Sequence, residues 1–329
     1  MFFYLTNPDR YGVTDIATLY SPGNLTVTTL RATQHVVAGF TDYGMTLVAC
    51  EDIWLSFIHI SALSTDLFGE ITSYDGWSLT GEHSTGGETY RSWTKEVDVD
   101  VTAGEVLGTT GGNTGIWAWD FSMVDLRISQ EKSVVNPERY SYWRWMPTGS
   151  GGTKIAIAGA LSGVCFLLYY GEGPVLDQLA GLVKRDKVEG ETIPCGSYLQ
   201  DVPGTAQGNW FLSGVSGTNP ENPHLALVHS TLHPDRAVLS VGTSLQGLRY
   251  GTYEFLPAEQ GLLDRDFKDI TPDGRTYGYR VVRHDNIDFD GIVIVRMPDE
   301  ETLWIEALTG AITEPSSWAF TGNKTIFVR

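Results

Sequence analysis

Cysteine is scarce. Cys50, Cys165 and Cys195 are the only three in 329 residues, so one disulfide at most can form, a thiol is left over, and cysteine usage alone does not fix the compartment. Basic residues are also few: Lys and Arg number 22 against 40 Asp and Glu, a formal charge of −18. A surface of that sign repels phosphate backbones and anionic headgroups, which excludes nucleic acid and membrane surfaces as partners. About 8 basic and 18 acidic side chains fall in residues 1–150, so the acidity is a solubility feature of the whole chain rather than a tail. Long apolar runs are missing too. The most apolar stretch, Ile155–Tyr170, is interrupted by Gly159 and Gly163 and is shorter than the roughly 20 residues that span a bilayer, so a buried strand–turn or helix is expected there. Met1 leads into FFYLTNPDR with neither a basic start nor a cleavage site, as expected of a cytoplasmic chain or of a mature form carrying an added Met. G-x-S-x-G, Walker, Rossmann and Cys-x-x-Cys motifs are absent. The Thr110-Gly111-Gly112-Asn113 stretch precedes a strand pattern, so it reads as a hairpin turn and not as a phosphate cradle.

What is present is β-forming. Glycine, threonine and aromatic residues are plentiful, and 42% of residues are hydrophobic, which suits a globular chain of short strands and turns. Strands are predicted at Asn24–His35, Met45–Cys50, Trp54–Ile60, Val97–Val101 and Ile116–Ile128. In Val97–Val101 the valines alternate with Asp98 and Asp100, the mark of a half-buried strand. Leu67–Ser92 lacks a period and reads as a long excursion or lid. The Gly/Ser-rich end of Asn136–Gly152 marks a boundary. A helix is predicted over Pro174–Asp186, with Val175, Leu176, Leu179, Leu182 and Val183 on one face. Seven or eight short strands follow between Gly208 and Val328, as in a small barrel or sandwich. The expected fold is therefore mainly β: an antiparallel β domain over residues 1–147, a linker and helical bridge over 148–194, and an antiparallel β-barrel over 195–329.

Two stretches of the first half resemble a family. Residues 21–63, SPGNLTVTTLRATQHVVAGFTDYGMTLVACEDIWLSFIHISAL, are similar to the middle of lysostaphin-type zinc endopeptidases: a proline before a strand, a strand opening after Tyr-Gly-Asn, and an aromatic-rich strand ending in His-Leu-Ser. Residues 101–128, VTAGEVLGTTGGNTGIWAWDFSMVDLRI, are similar to the family's V-x-x-G-x-x-I-G hairpin, Gly-rich turn and His-x-His strand. The resemblance covers about Thr14–Arg127. It implies a lysostaphin-like groove from which the metal chemistry has been lost. Thr14 and Thr18 stand near the positions of the first two zinc ligands, Ala118-Trp119-Asp120 stands in place of His-x-His, and His59 alone survives. Zinc hydrolysis needs three protein ligands and an open position, so no metal and no other cofactor is expected.

Within that frame the candidate catalytic residues are His59 and Asp120, with Ala118 and Ser122 lining the groove beside them. Strand alternation puts Ala118, Asp120 and Ser122 on one face and Trp117, Trp119, Phe121 and Met123 on the other. His59 alternates with Leu55 and Phe57, which also fits a half-buried, hydrogen-bonded structural histidine. Asp42, Glu51 and Asp52 read as solvated turn residues. In the second half, Gly208-Asn209-Trp210 resembles the entry strand of lipocalin-like barrels, where the Trp closes the floor. His224, His229 and His233 have a metal-like spacing, but on a strand His224 and His229 point to opposite faces. The ten tryptophans suit a core better than a row of sugar platforms. The functional expectation is a non-catalytic binding protein of the cell envelope or exterior, holding cell-wall peptide or glycan in a metal-free groove. The alternatives are a hydrolase using His59 with Asp120 or a barrel pocket, and a structural protein that self-associates.

Overall fold

The computed structural model describes residues 2–4, 16–85, 87–112, 116, 118–130, 132, 134–142, 161–183, 195–197, 199–215, 223–283, 289–310 and 314–329. The fold is mainly β, with antiparallel pairing between all named strands, and it divides into two units: residues 1–128 with 144–166, and residues 129–143 with 167–329. The Gly/Ser tract at 148–152 and the apolar stretch 155–160 lie outside the described residues.

The N-terminal unit holds β1 (Phe2–Tyr4), β2 (Ile16–Tyr20), β3 (Leu25–His35), β4 (Phe40–Cys50), β5 (Ile53–Ile60), β6 (Ala62–Leu63), β7 (Ser78–Thr85), β8 (Glu88–Val101), β9 (Val106–Gly111) and β10 (Ala118–Asp125). Seven of them form one sheet in the order β1-β10-β5-β4-β3-β8-β7, and β2, β9 and β6 form a second. One side of the large sheet supplies the core. Leu25, Val27 and Leu30 of β3, Met45 and Leu47 of β4, Leu55, Phe57 and Ile60 of β5, and Phe121 and Met123 of β10 are all buried there, with Leu19 and Leu107 from the small sheet. Gly108 lets the small sheet close tightly: a Cβ at this position would stand 2.3 Å from the Ala62 carbonyl oxygen.

The stretch expected to be a lid is structured instead. A short α1 (Thr65–Phe68) is followed by β7, which pairs with β8 as a hairpin from Ser78↔Thr94 to Thr85↔Glu88. Tyr74 stacks on Trp93 at 4.2 Å, meets Trp77 edge-on and shares a hydrogen bond with Thr41, so the loop is fastened to the sheet by aromatic packing that periodicity does not reveal. Burial and Tyr74 push the Tyr43 hydroxyl up to about 12.

The second unit carries the predicted helix as α2 (Pro174–Leu182), but its apolar stripe is not a packing face. Leu176 is buried, while Val175 and Leu182 are exposed to solvent. Its strands are β11 (Gly208–Leu212), β12 (Leu225–His229), β13 (Ala237–Val241), β14 (Gly251–Phe255), β15 (Tyr277–Tyr279), β16 (Val282–Arg283), β17 (Gly291–Asp299), β18 (Thr302–Thr309) and β19 (Thr325–Val328). The sheet order is β15-β17-β18-β19-β11-β12-β13-β14-β16. Its two outermost strands, β15 and β16, are neighbours in sequence, joined by Arg280 and Val281, so the meander curls round to its own edge in a barrel-like arrangement. Alternate residues fill the inside: Trp210, Leu227, Leu239, Tyr253, Phe255, Tyr279, Val293, Val295, Leu303, Ile305 and Phe327, with Phe267 from the loop after β14.

Trp210 is fully buried, and its indole N–H donates to the Ala206 carbonyl at 2.8 Å. Arg329 lies over the ring at 4.1 Å and donates to the carbonyls of Thr205 and Gln207. Gly208 is required two residues before the Trp. Its φ of 129° suits glycine, and a Cβ would stand 2.2 Å from Asp201 Oδ1, which accepts the Asn209 amide at 2.8 Å.

One ion pair in this unit makes its stability depend on pH. His229 Nδ1 faces the Pro234 carbonyl at 2.9 Å and Nε2 faces Asp266 at 3.0 Å, so both nitrogens meet acceptors and the protonated ring is favoured. The bond to Asp266 raises the His229 pKa against the opposing effect of burial. Burial also raises Asp266, but His229 and Lys268 outweigh it and hold that carboxyl at about 2. A raised histidine contributes fully below its unfolded pKa of about 6.5 and loses that contribution as pH climbs through the folded value. A depressed carboxylate contributes above about 3.9 and loses it as pH falls toward 2. Denaturant midpoints should therefore fall as pH rises above about 6.5, and less steeply in His229→Gln. Equal slopes in the two proteins would remove the pair from the balance.

Candidate functional site

The side of the large sheet opposite the core is polar, and a β-bulge organises it. Tyr43 pairs with Ile60 and Gly44 with Ile58, which leaves His59 as the extra residue. His59 has φ of 66°, a left-handed conformation rare outside glycine and costing on the order of 1 kcal/mol. The bulge changes the alternation: Phe57 and Ile60 both enter the core, and His59 is turned to the polar side. The period-two placement of His59 with Leu55 and Phe57 is thus corrected by one inserted residue. Thr110 of β9 fixes the bulge by donating its hydroxyl to the His59 carbonyl at 2.7 Å.

On the polar side His59 Nδ1 donates to Asp42 Oδ2 at 2.6 Å, and Nε2 lies 3.7 Å from Asp120 Oδ2. Asp42 is not a solvated turn residue. It sits within β4 at 7% exposure, on the same face as Gly44 and Thr46. The hydrogen bond to Asp42 is the main force raising the His59 pKa; burial opposes it, and the charges of Asp42 and Asp120 add to it. Burial raises the Asp120 carboxyl, with the His59 charge acting against it. The result is an imidazole biased toward its protonated form between two carboxylates. Among the described residues no hydroxyl or thiol is bonded to His59 Nε2, so the nucleophile–base contact of an acyl-transfer triad is not assembled.

Ser122 is exposed on the same side as Asp120, and Trp119, Phe121 and Met123 pack with the core. Ala118 pairs through its backbone with Tyr4, and Trp117 lies outside the described residues, as does Thr14. Thr18 pairs with Thr109 in the small sheet. Glu51 is exposed and Asp52 half-buried at the β4–β5 turn. No group of three or more His, Cys, Asp or Glu side chains able to hold a metal ion occurs among the described residues. His224 accepts the Leu212 amide through Nδ1 at 3.1 Å, whereas His229 holds Asp266.

Sequence reasoning missed Asp42, Arg31 and Thr29. The available signal was the alternation Phe40-Asp42-Gly44-Thr46 along a strand whose other face is Tyr43-Met45-Leu47. Cross-strand register extends the polar face in rows: Thr29↔Thr46↔Ser56↔Ser122, Arg31↔Gly44↔Ile58↔Asp120, and Ser92↔Thr33↔Asp42. A row of rings, His83↔Tyr90↔His35↔Phe40, ends it, with His83 stacked on Tyr90 at 4.9 Å and His35 on Phe40 at 4.1 Å. No protein-family model, curated protein or solved structure matches the chain significantly.

Proposed function

We propose that the chain is a non-catalytic binding protein of the cell envelope or exterior, and that the polar sheet face of its N-terminal unit holds cell-wall peptide or glycan without a metal. The observation that carries this reading is the Asp42–His59–Asp120 arrangement, in which both ring nitrogens face carboxylates and, among the described residues, no nucleophile is bonded to them. Strain at His59, together with the buried and unbonded Oδ1 atoms of Asp42 and Asp120, is the kind of feature that marks a binding face. The likeness of the N-terminal unit to lysostaphin-type peptidases belongs to the same proposal, with the groove kept and the zinc chemistry lost. So does the likeness of the second unit to lipocalin-like barrels. No helix among the described residues is long and apolar enough to cross a membrane.

A second reading, a hydrolase using His59 as general acid, is favoured by the 2.6 Å bond to Asp42, which raises the ring's pKa. Elemental analysis and turnover separate the two. The binding protein is expected to carry well under one zinc per chain, to keep its melting temperature in chelator and to leave peptidoglycan intact. Turnover that disappears in His59→Ala would establish the hydrolase and overturn the binding reading.

A further inference from the structure

The middle of the polar face contains a cation, Arg31, with no hydrogen-bond or ion-pair partner among the described residues. Arg31 of β3 lines a small depression together with Thr29, Gly44, Thr46 and Ser56. It forms no hydrogen bond or ion pair with the described residues; Asp42 acts on it only at longer range. Thr29 lines the same depression at 4% exposure, and its hydroxyl is buried without a hydrogen-bond partner. A buried hydroxyl without a hydrogen bond is unfavourable, and so is a guanidinium partly withdrawn from water, which Asp42 offsets only in part. Burial lowers the Arg31 pKa, in line with that desolvation. Gly44 keeps the floor low, since a Cβ there would stand 3.0 Å from the Phe57 carbonyl oxygen and 3.9 Å from the Arg31 Cβ. The free space is about 10 Å³, room for one water-sized atom group and not for a ring.

These features complement one another. Arg31 supplies up to five donors in a planar fork that matches a carboxylate, and Thr29, Thr46 and Ser56 line the same depression. Along the row from Arg31 lie Gly44, Ile58 and Asp120, and at about 4.8 Å per strand Asp120 is roughly 14 Å away. Among the described residues no donor reaches the buried Oδ1 atoms of Asp42 and Asp120. A ligand filling every vacancy carries one anionic end at Arg31 and N–H or ammonium donors toward Asp42 and Asp120. A polyanionic chain is disfavoured by the net charge of −18, whereas one carboxylate on an otherwise neutral or cationic chain is not.

We infer that Arg31 and Thr29 form an anchoring subsite for the C-terminal carboxylate of a short peptide, which runs across the strands toward Asp42 and Asp120. This rests on the proposed binding role of the same face and narrows its ligand from peptide or glycan to a peptide with a free C-terminus.

The test uses the full chain and two probes, Ala-Ala-Ala and its C-terminal amide, titrated by calorimetry or by amide chemical shifts. The acid is expected to bind at least about ten-fold more tightly than the amide, a difference of about 1.4 kcal/mol. Arg31→Gln and Thr29→Val should each reduce that preference, with Arg31→Lys retaining part of it. The acid–amide comparison on the unmodified protein needs no variant, so a variant that fails to fold leaves the proposal testable. Equal binding of acid and amide overturns the carboxylate subsite while leaving the binding role of the face intact. Saturable binding of wall glycan with no peptide binding overturns the peptide assignment alone. If neither tripeptides nor wall fragments bind, both this inference and the proposed function fall.

Discussion

Trp210→Ala should lower the stability of the C-terminal unit by about 3–5 kcal/mol, the usual result of emptying a buried aromatic site. Trp210 is fully buried, fills the inside of the curled sheet, and bonds Ala206 through its indole nitrogen. The substitution removes the ring's contacts and leaves the Ala206 carbonyl without that donor. Urea denaturation followed by far-ultraviolet circular dichroism gives the value, provided the slope with denaturant is unchanged. A loss below about 1 kcal/mol would mean that the ring packs far less than its burial indicates.

Arg329→Ala should cost about 2–6 kcal/mol, since two carbonyls, those of Thr205 and Gln207, lose a charged donor at about 1–3 kcal/mol each. Arg329 itself is 5% exposed, and its charge acts on the half-buried Asp201 carboxyl: burial raises that pKa, and the hydrogen bonds from Asn209 and Val135, together with Arg329, pull the other way. Arg329→Met separates two contributions. It keeps an apolar chain over Trp210 but donates nothing, so a loss equal to that of Arg329→Ala assigns the effect to the hydrogen bonds. Recovery of most of the stability would assign it to packing on the ring. The double variant with Trp210→Ala should cost less than the two losses added, by about 0.5 kcal/mol or more, because the side chains touch. Strict additivity would contradict the coupling.

The strands of the C-terminal unit were legible because each is a short run rich in β-branched, aromatic or apolar residues between turn signals, and Trp210 was legible through the glycine two positions before it. Arg329 was not, since a single arginine separated by 119 residues from its aromatic partner leaves no local trace. The lid expected at Leu67–Ser92 failed because β7 is mostly polar and exposed on both faces, so it lacks the alternation that announces a strand. At the candidate site His59, Asp120 and Ser122 were visible as polar residues within apolar strands. The side on which His59 lies was not, because one bulged residue reverses the alternation and no composition rule marks where it occurs. Asp42 beside Gly44 reads as a turn residue. The strand forms there regardless, since Tyr43, Met45 and Leu47 have a core to enter.

The most direct measurement is an amide-shift titration of the isotope-labelled full chain with soluble cell-wall fragments, with the fragments weighed by mass spectrometry afterwards. The expected result is saturable shifts clustered at Thr29, Arg31, Asp42, Gly44, Ser56, His59, Asp120 and Ser122, with every fragment recovered at its original mass. Shifts confined to the C-terminal unit, or fragments recovered as cleaved pieces, would contradict a binding face on the N-terminal sheet that holds its ligand without cutting it.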